Sequence, residues 1–395
     1  MQVKVTVTGR RVEPFGDAPG AVLIHNRPLS QWRIEALEAL DLEVTDEPSG
    51  PHLEIPDTLF TTAGALRRFI DAAAGGNAVL VLKDSFFAKY TTPVQADVVK
   101  TEEGWRFEKV RFHSGEEGPY RDVVVDPEEK QVSLPMPKYY LGVDKMEMGF
   151  PRLPFLTIHH WVHILWANQV AMAIEGLAVP KWRWAVKIAW AILRARSLNK
   201  WRVMGKMNTV GKNCDIHPTA LVEMSNIGEG VEIGPYARVR FSRLGDNVKI
   251  MAGAQVEFSV VGDKVWLGQE CCLNHCVAYP EAIANQRIMQ LCVLGNRVVT
   301  TDGSWSMDLN FEKEIRVTMD GKLYNTGQRT LGSAFGHNAR VGCGVWLASG
   351  RSVPNDTFMI RDPRKIISKL PAGLSTTEPL TVDDGIAVSV TEKLR

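Results

Sequence analysis

The chain has no cysteine before Cys214, almost no net charge, and no uninterrupted apolar stretch long enough to span a membrane. Each absence excludes something. The six cysteines, Cys214, Cys271, Cys272, Cys276, Cys292 and Cys343, all lie in the second half, mostly where small residues are wanted. That argues against a disulfide scaffold and for a reduced, cytoplasmic protein. A formal charge of +1 over 395 residues supplies no global field that demands nucleic acid or an acidic partner. The start, Met1-Gln-Val-Lys-Val-Thr-Val7, alternates like a strand and lacks the apolar run of a secretory signal. At this length two domains are expected, each able to bury a core.

What the sequence does have is a period. Val210-Gly-Lys-Asn-Cys-Asp, Ile227-Gly-Glu-Gly-Val-Glu, Leu244-Gly-Asp-Asn-Val-Lys and Val261-Gly-Asp-Lys-Val-Trp recur every seventeen residues. A second column opens at Ile216, Ile233, Ile250 and Leu267, and a shorter third at Val222, Val239, Val256 and Leu273. Two six-residue faces and one five-residue face make one coil of a hexapeptide, left-handed parallel β-helix over 206–360. The aliphatic residue opening each face points inward and stacks on its counterpart about 4.8 Å away. After Leu273 the rhythm fails. Residues 278–293 are expected to interrupt the solenoid, Leu294-Gly-Asn-Arg-Val-Val rejoins it, and 303–330 form a larger excursion before Phe335, Val341, Leu347 and Val353 resume it. Long departures from a regular solenoid tend to carry function.

The repeat also places single residues. His275 takes the third place of a short face, above Phe258, Phe241 and Met224, where it either packs on an aromatic ladder or works as a base. Cys276 follows Ser225, Ser242 and Ser259 in a small-residue column. Cys271, Cys272, Cys276 and His275 are close in sequence, but no second Cys-x-x-Cys pair exists, so zinc is not expected. His217 and His337 read as structural.

Before the repeat, residues 1–150 alternate between β and α patterns and predict an α/β sheet. Residues 3–8 read as a strand, and Ser30 is a candidate cap for a helix over 31–41 with Ile34, Leu37 and Leu40 on one face. Leu66, Phe69 and Ile70 mark a second helix, and 77–84 is a strand buried on both faces. Residues 98–112 read as a hairpin turning near Glu103-Gly104, and 122–134 as another β pair. Residues 151–205 read as a helical connector. There 158–175 is nearly all apolar, carrying His159, His160 and His163, and Pro180 separates it from a second helix over 181–202. The histidines read as packed or capping groups. Trp184, Ile188, Ala191, Ile192 and Ala195 share one face of the second helix, with Arg183, Lys187 and Arg194 on another. Nine basic residues and no acidic ones lie between Gly176 and Cys214. Three readings stay open for this segment: two helices packed between domains, a peripheral membrane contact, or a phosphate site. Residues 361–395 form a polar tail punctuated by Pro363, Pro371 and Pro379.

Four stretches carry a family resemblance. Ala21-Val-Leu-Ile-His-Asn-Arg-Pro-Leu-Ser-Gln-Trp-Arg-Ile-Glu-Ala-Leu37 and the strand ending at Asp84 resemble sugar-nucleotide pyrophosphorylases. There Asp84 would be the magnesium ligand, against the plainer reading of a solvent-facing strand end. Residues 9–20 depart from that pattern: the glycine loop is short, and Gly20 stands where a phosphate-binding lysine is needed. Asp308-Leu-Asn-Phe-Glu-Lys-Glu-Ile-Arg-Val and Thr326-Gly-Gln-Arg-Thr-Leu-Gly-Ser-Ala-Phe-Gly-His resemble the acetyltransferase half of the bifunctional sugar-1-phosphate nucleotidyltransferase/amino-sugar N-acetyltransferases, whose bacterial member makes UDP-N-acetylglucosamine.

The resemblance implies a degenerate nucleotidyltransferase-like domain, a helical hairpin and a trimeric β-helix. It implies acetyl-CoA as co-substrate, an amino-sugar phosphate or nucleotide sugar as acceptor, and Mg only where nucleotidylyl transfer survives. It carries His275 over as the base, Tyr279 (one residue late) and Asp308 (in place of an asparagine) as its neighbours, and Lys313 and Arg316 as phosphate holders. The competing expectation is a scaffold or sensor that binds sugar nucleotides without turnover.

Overall fold

The computed structural model describes residues 1–141, 143–177, 180–374 and 377–394. The N-terminal half forms the expected α/β unit. Ala78–Lys83, buried at all but its last residue, lies within a mixed sheet. The sheet runs Arg121–Val125, Ala78–Lys83, Gly104–His113, His52–Pro56, Gln2–Thr6, Glu43–Val44. Val98–Lys100 pairs with the start of Gly104–His113, so the hairpin turning at Glu103 forms as expected. The second expected pair does not. Arg121–Val125 runs parallel to Ala78–Lys83, while Lys130–Pro135 pairs antiparallel with Lys145–Phe150. Joining the central sheet buries Val123 and Val125, a gain no local hairpin offers.

Helices α1 (Leu29–Glu38), α2 (Ala63–Ala73), α3 (Phe86–Thr91) and α4 (Lys138–Leu141) belong to this half. Ser30 does not cap α1: the cap position falls on Pro28, whose ring presets the backbone. Helix α2 is capped by Thr62, whose side-chain oxygen accepts from the Ala65 N–H. Helix α5 (Trp161–Leu177) corrects the connector. Apolar on all sides, it must be surrounded, and Trp161, Ile164, Leu165, Ala167 and Ala171 are all fully buried. It belongs to the core of the N-terminal half. Only α6 (Lys181–Ala195) and α7 (Lys200–Met204) link that half to the repeat. Residues 178–179, the turn of the expected hairpin, lie outside the described residues.

From Thr209 the chain winds as the period requires. Eight strands stack on the first face, eight on the second and five on the third. Val210, Ile227, Leu244 and Val261 pair in sequence along the first face, seventeen residues apart. Residues 278–293 do not interrupt the stack. Val277–Ala278, Ile283–Ala284 and Ile288–Gln290 enter the three sheets in turn, and Val277 pairs with Val293, so this coil is only one residue short. Alanines in place of larger aliphatic residues, and a corner contracted by one residue, hide it from the pattern. Inside the lumen the small column carries a ladder. Ser242 N–H donates to Ser225 Oγ (3.2 Å), Ser259 N–H to Ser242 Oγ (3.1 Å) and Cys276 N–H to Ser259 Oγ (2.9 Å). All six cysteines are free thiols.

The two halves share one core. Phe15, from the loop 9–20, is buried, stacks on Tyr279 (5.7 Å between centroids) and lies tilted against His337 (5.1 Å). Asp17 Oδ2 lies 3.1 Å from His337 Nε2, and Asn355 Nδ2 donates to the Phe15 carbonyl at 2.7 Å. The Leu23 N–H donates to the Tyr279 hydroxyl at 3.0 Å. The excursion forms a hairpin, Arg316–Met319 with Lys322–Asn325, which folds back onto the N-terminal half: His160 Nε2 lies 3.1 Å from the Thr318 carbonyl. Phe15→Ala should therefore lower the unfolding free energy by about 3–5 kcal/mol. Tyr279→Phe, which strands the Leu23 N–H, should lower it by about 1–3 kcal/mol. Urea titrations of both variants check this.

Candidate functional site

The third face of each coil ends in a left-handed corner residue. Met224, Phe241, Phe258 and His275 hold φ of 46, 47, 48 and 53°, which throws their side chains outward one above another. The ladder read from the repeat forms: Phe241 and Phe258 stack at 5.0 Å, and Phe258 and His275 at 4.8 Å. His275 Nδ1 lies 2.7 Å from Asn274 Oδ1. An amide oxygen only accepts, so Nδ1 carries the hydrogen and Nε2 keeps its lone pair. Burial lowers the imidazole pKa to about 4, so the ring stays neutral at ordinary pH.

His275 lines a narrow pocket of about 40 Å³ with Phe87 and Tyr90 of α3, Trp166 and Gln169 of α5, and Phe150. That is room for about one water. Tyr90 and Trp166 stack across it at 5.9 Å, and Gln169 Nε2 donates to the Phe258 carbonyl at 3.1 Å, fixing α5 against the ladder.

The other expected members do not join this pocket. Tyr279 faces the N-terminal half, fully buried, with its hydroxyl taken by Leu23 and its pKa raised by burial. It occupies the corner where Gly211, Gly228, Gly245 and Gly262 stand in earlier coils. A Cβ on Gly262 would lie 2.6 Å from Pro280 N, so that column stacks too tightly for ordinary side chains. A large ring there marks a docking residue, and the glycine column was the available signal. Asp308 is half-buried at the root of the excursion, with its carbonyl accepting from Leu331 N–H at 2.8 Å and its carboxyl pKa raised by burial. Lys313 and Arg316 are exposed on the excursion. Asp84 is engaged by Lys100 Nζ and by Trp105 Nε1 (2.8 Å), which fits a strand-end ion pair better than a magnesium ligand. Among the described residues no cluster of three or more His, Cys, Asp or Glu side chains is placed to hold a metal.

The three histidines around the start of α5 are structural. His163 Nδ1 accepts from the His159 and His160 N–H groups at 3.0 and 3.1 Å, and His159 Nδ1 accepts from Ala96 N–H at 3.2 Å. Sequence reasoning missed a larger cavity of about 540 Å³, lined by Arg67, Arg68 and Asp71 of α2 together with Glu128, Arg152 and Ile174. Its walls come from four separate segments, so no local motif announces it.

Residues 194–291, a quarter of the chain, match the family described as GMPPB C-terminal domain. No curated protein matches the sequence. Among solved structures, a Bacillus cereus protein assigned as a candidate acetyltransferase is similar at 16% identity, with 42% of this chain and 85% of that chain covered and a TM-score of 0.17. The polysialic acid O-acetyltransferase OatWY is similar at 15% identity, covering 46% and 90%, with a TM-score of 0.14. Overlaps this loose carry no argument about chemistry, and the solenoid rests on its own register.

Burial also holds His159 near pKa 4 and His160 near 3. In the unfolded chain each takes a proton near pH 6.5. Their neutral forms therefore favour the fold fully above pH 6.5, and that contribution is lost as pH falls toward the folded values. Urea titrations should show stability dropping by on the order of 2 kcal/mol per such histidine between pH 7 and pH 5. A flat profile over that range contradicts the burial of these rings as neutral groups.

Proposed function

We infer that this chain transfers an acyl group from acetyl-CoA to an amino-sugar phosphate or nucleotide sugar, with His275 as general base. One observation carries the reading: a neutral imidazole beside a pocket, with Nδ1–H tied to Asn274 and no hydrogen bond to Nε2 among the described residues. In the step, Nε2 takes the proton of the acceptor amine as its nitrogen attacks the thioester carbonyl. The C–S bond breaks, and the departing thiolate takes the proton back from the imidazolium. The pocket holds about one water, so this reading seats both substrates, phosphates included, at its mouth. Lys313 and Arg316 are the exposed cations assigned to hold them. A homotrimer of the solenoid is the assembly this reading assumes. Tyr279 and Asp308 take no part in the step. Nucleotidylyl transfer, and the Mg it requires, is not proposed, because the loop that would hold a triphosphate is committed to docking Phe15.

A second reading is favoured by the arginine-lined cavity, whose volume of about 540 Å³ is that of a small-molecule site. There the chain binds a sugar nucleotide without turnover. Free thiol released from acetyl-CoA and glucosamine-1-phosphate separates the two. The first reading expects release, reduced about 100-fold or more in His275→Ala, and equally in His275→Phe, which extends the ladder and keeps the fold. No release above the variants, with a melting temperature raised by UDP-sugars and lost on Arg67→Ala and Arg68→Ala, replaces the first reading with the second.

A further inference from the structure

We propose that α6 is a docking surface for an anionic phospholipid bilayer. The helix divides into three stripes. Trp184 and Ala191 turn toward the protein: Ala191 is buried, and Trp184 Nε1 donates to the Gly176 carbonyl at 2.8 Å. Trp182, Val186, Trp190 and Leu193, spaced by four, four and three, form a second stripe that faces outward. These four are 64%, 60%, 59% and 65% exposed. Arg183, Lys187 and Arg194 form a third stripe one residue further round, and all three are exposed. Leu198 and Trp201 prolong the exposed apolar surface, and Arg196, Lys200 and Arg202 prolong the basic one.

The helix is held in this pose at both ends. Trp184 fixes its start, and at its far end α7 lies on the solenoid, where Val203 is buried and the Arg240 guanidinium lies 5.2 Å from the Trp201 ring centroid. Three tryptophans left in water beside cations, with no acidic residue between Gly176 and Cys214, match what a headgroup layer takes: apolar side chains to the acyl boundary, cations to phosphate. The helix lies on the bilayer and does not cross it. Its fifteen residues span about 22 Å, short of the roughly 30 Å hydrocarbon core, and no helix among the described residues is long and apolar enough to cross. A second copy is the poorer occupant, because a two-fold contact through this helix sets its cations against their own copies.

Flotation of the full-length protein with vesicles tests this. Binding to vesicles containing phosphatidylglycerol should exceed binding to pure phosphatidylcholine by about tenfold or more. Trp182→Ser with Trp190→Ser, or Lys187→Glu with Arg194→Glu, should each cost about tenfold in binding. All four residues are exposed, so the melting temperature should hold. Three outcomes overturn the proposal. One is no difference between the vesicle types. Another is unaltered binding by the tryptophan variant, which indicates a purely charged contact. The third is a concentration-dependent oligomer dissolved by that variant, which assigns the stripe to a second copy.

Discussion

An outward-facing apolar row on the solenoid has to be covered, and the N-terminal half covers it. Val277, Tyr279, Leu291, Val293 and Ala334 lie outside the lumen, yet they are buried in the same core as the α/β sheet and α5. A row of that kind left in water costs about 25 cal/mol per Å² of apolar surface. Polar contacts then fix the register of the contact. Asn26 Nδ2 donates to the Val261 carbonyl at 2.8 Å, and Arg243 pairs with Glu175 at 3.1 Å.

This contact decides what the rest of the chain can do. It takes the loop 9–20 away from phosphate chemistry and gives Phe15 and Asp17 to Tyr279 and His337. It brings α3 and α5 beside the aromatic ladder, which turns His275 from an exposed corner into the wall of a narrow pocket. It also draws α5 into the core and leaves α6 outside, with one face against the protein and two in solvent. The chemistry assigned to His275 and the surface assigned to α6 both follow from where α5 lies.

The sequence made the solenoid legible because its period is a stacking rule, and each aliphatic residue reports its own burial. The same period puts His275 on the Phe241–Phe258 ladder. The shortened coil after Cys276 escaped because alanine reports burial weakly and one deleted residue breaks a periodic match. The pairing of Arg121–Val125 escaped because a parallel partner forty residues away leaves no local trace. Tyr279 is hidden for a different reason. Its resemblance to a catalytic position lies along the chain, while its neighbours are set by the glycine column and by Phe15. Uniform apolarity tells that α5 is surrounded, and not by what, so the sequence does not separate a connector from a core helix.

Native-state hydrogen exchange at rising denaturant tests the shared core most directly. The amides of Ala78–Lys83 in the sheet and of Val293–Leu294 in the solenoid should lose protection together, with one opening free energy. Continued protection of Val293–Leu294 after Ala78–Lys83 has opened would show two independently stable halves, and would contradict the account.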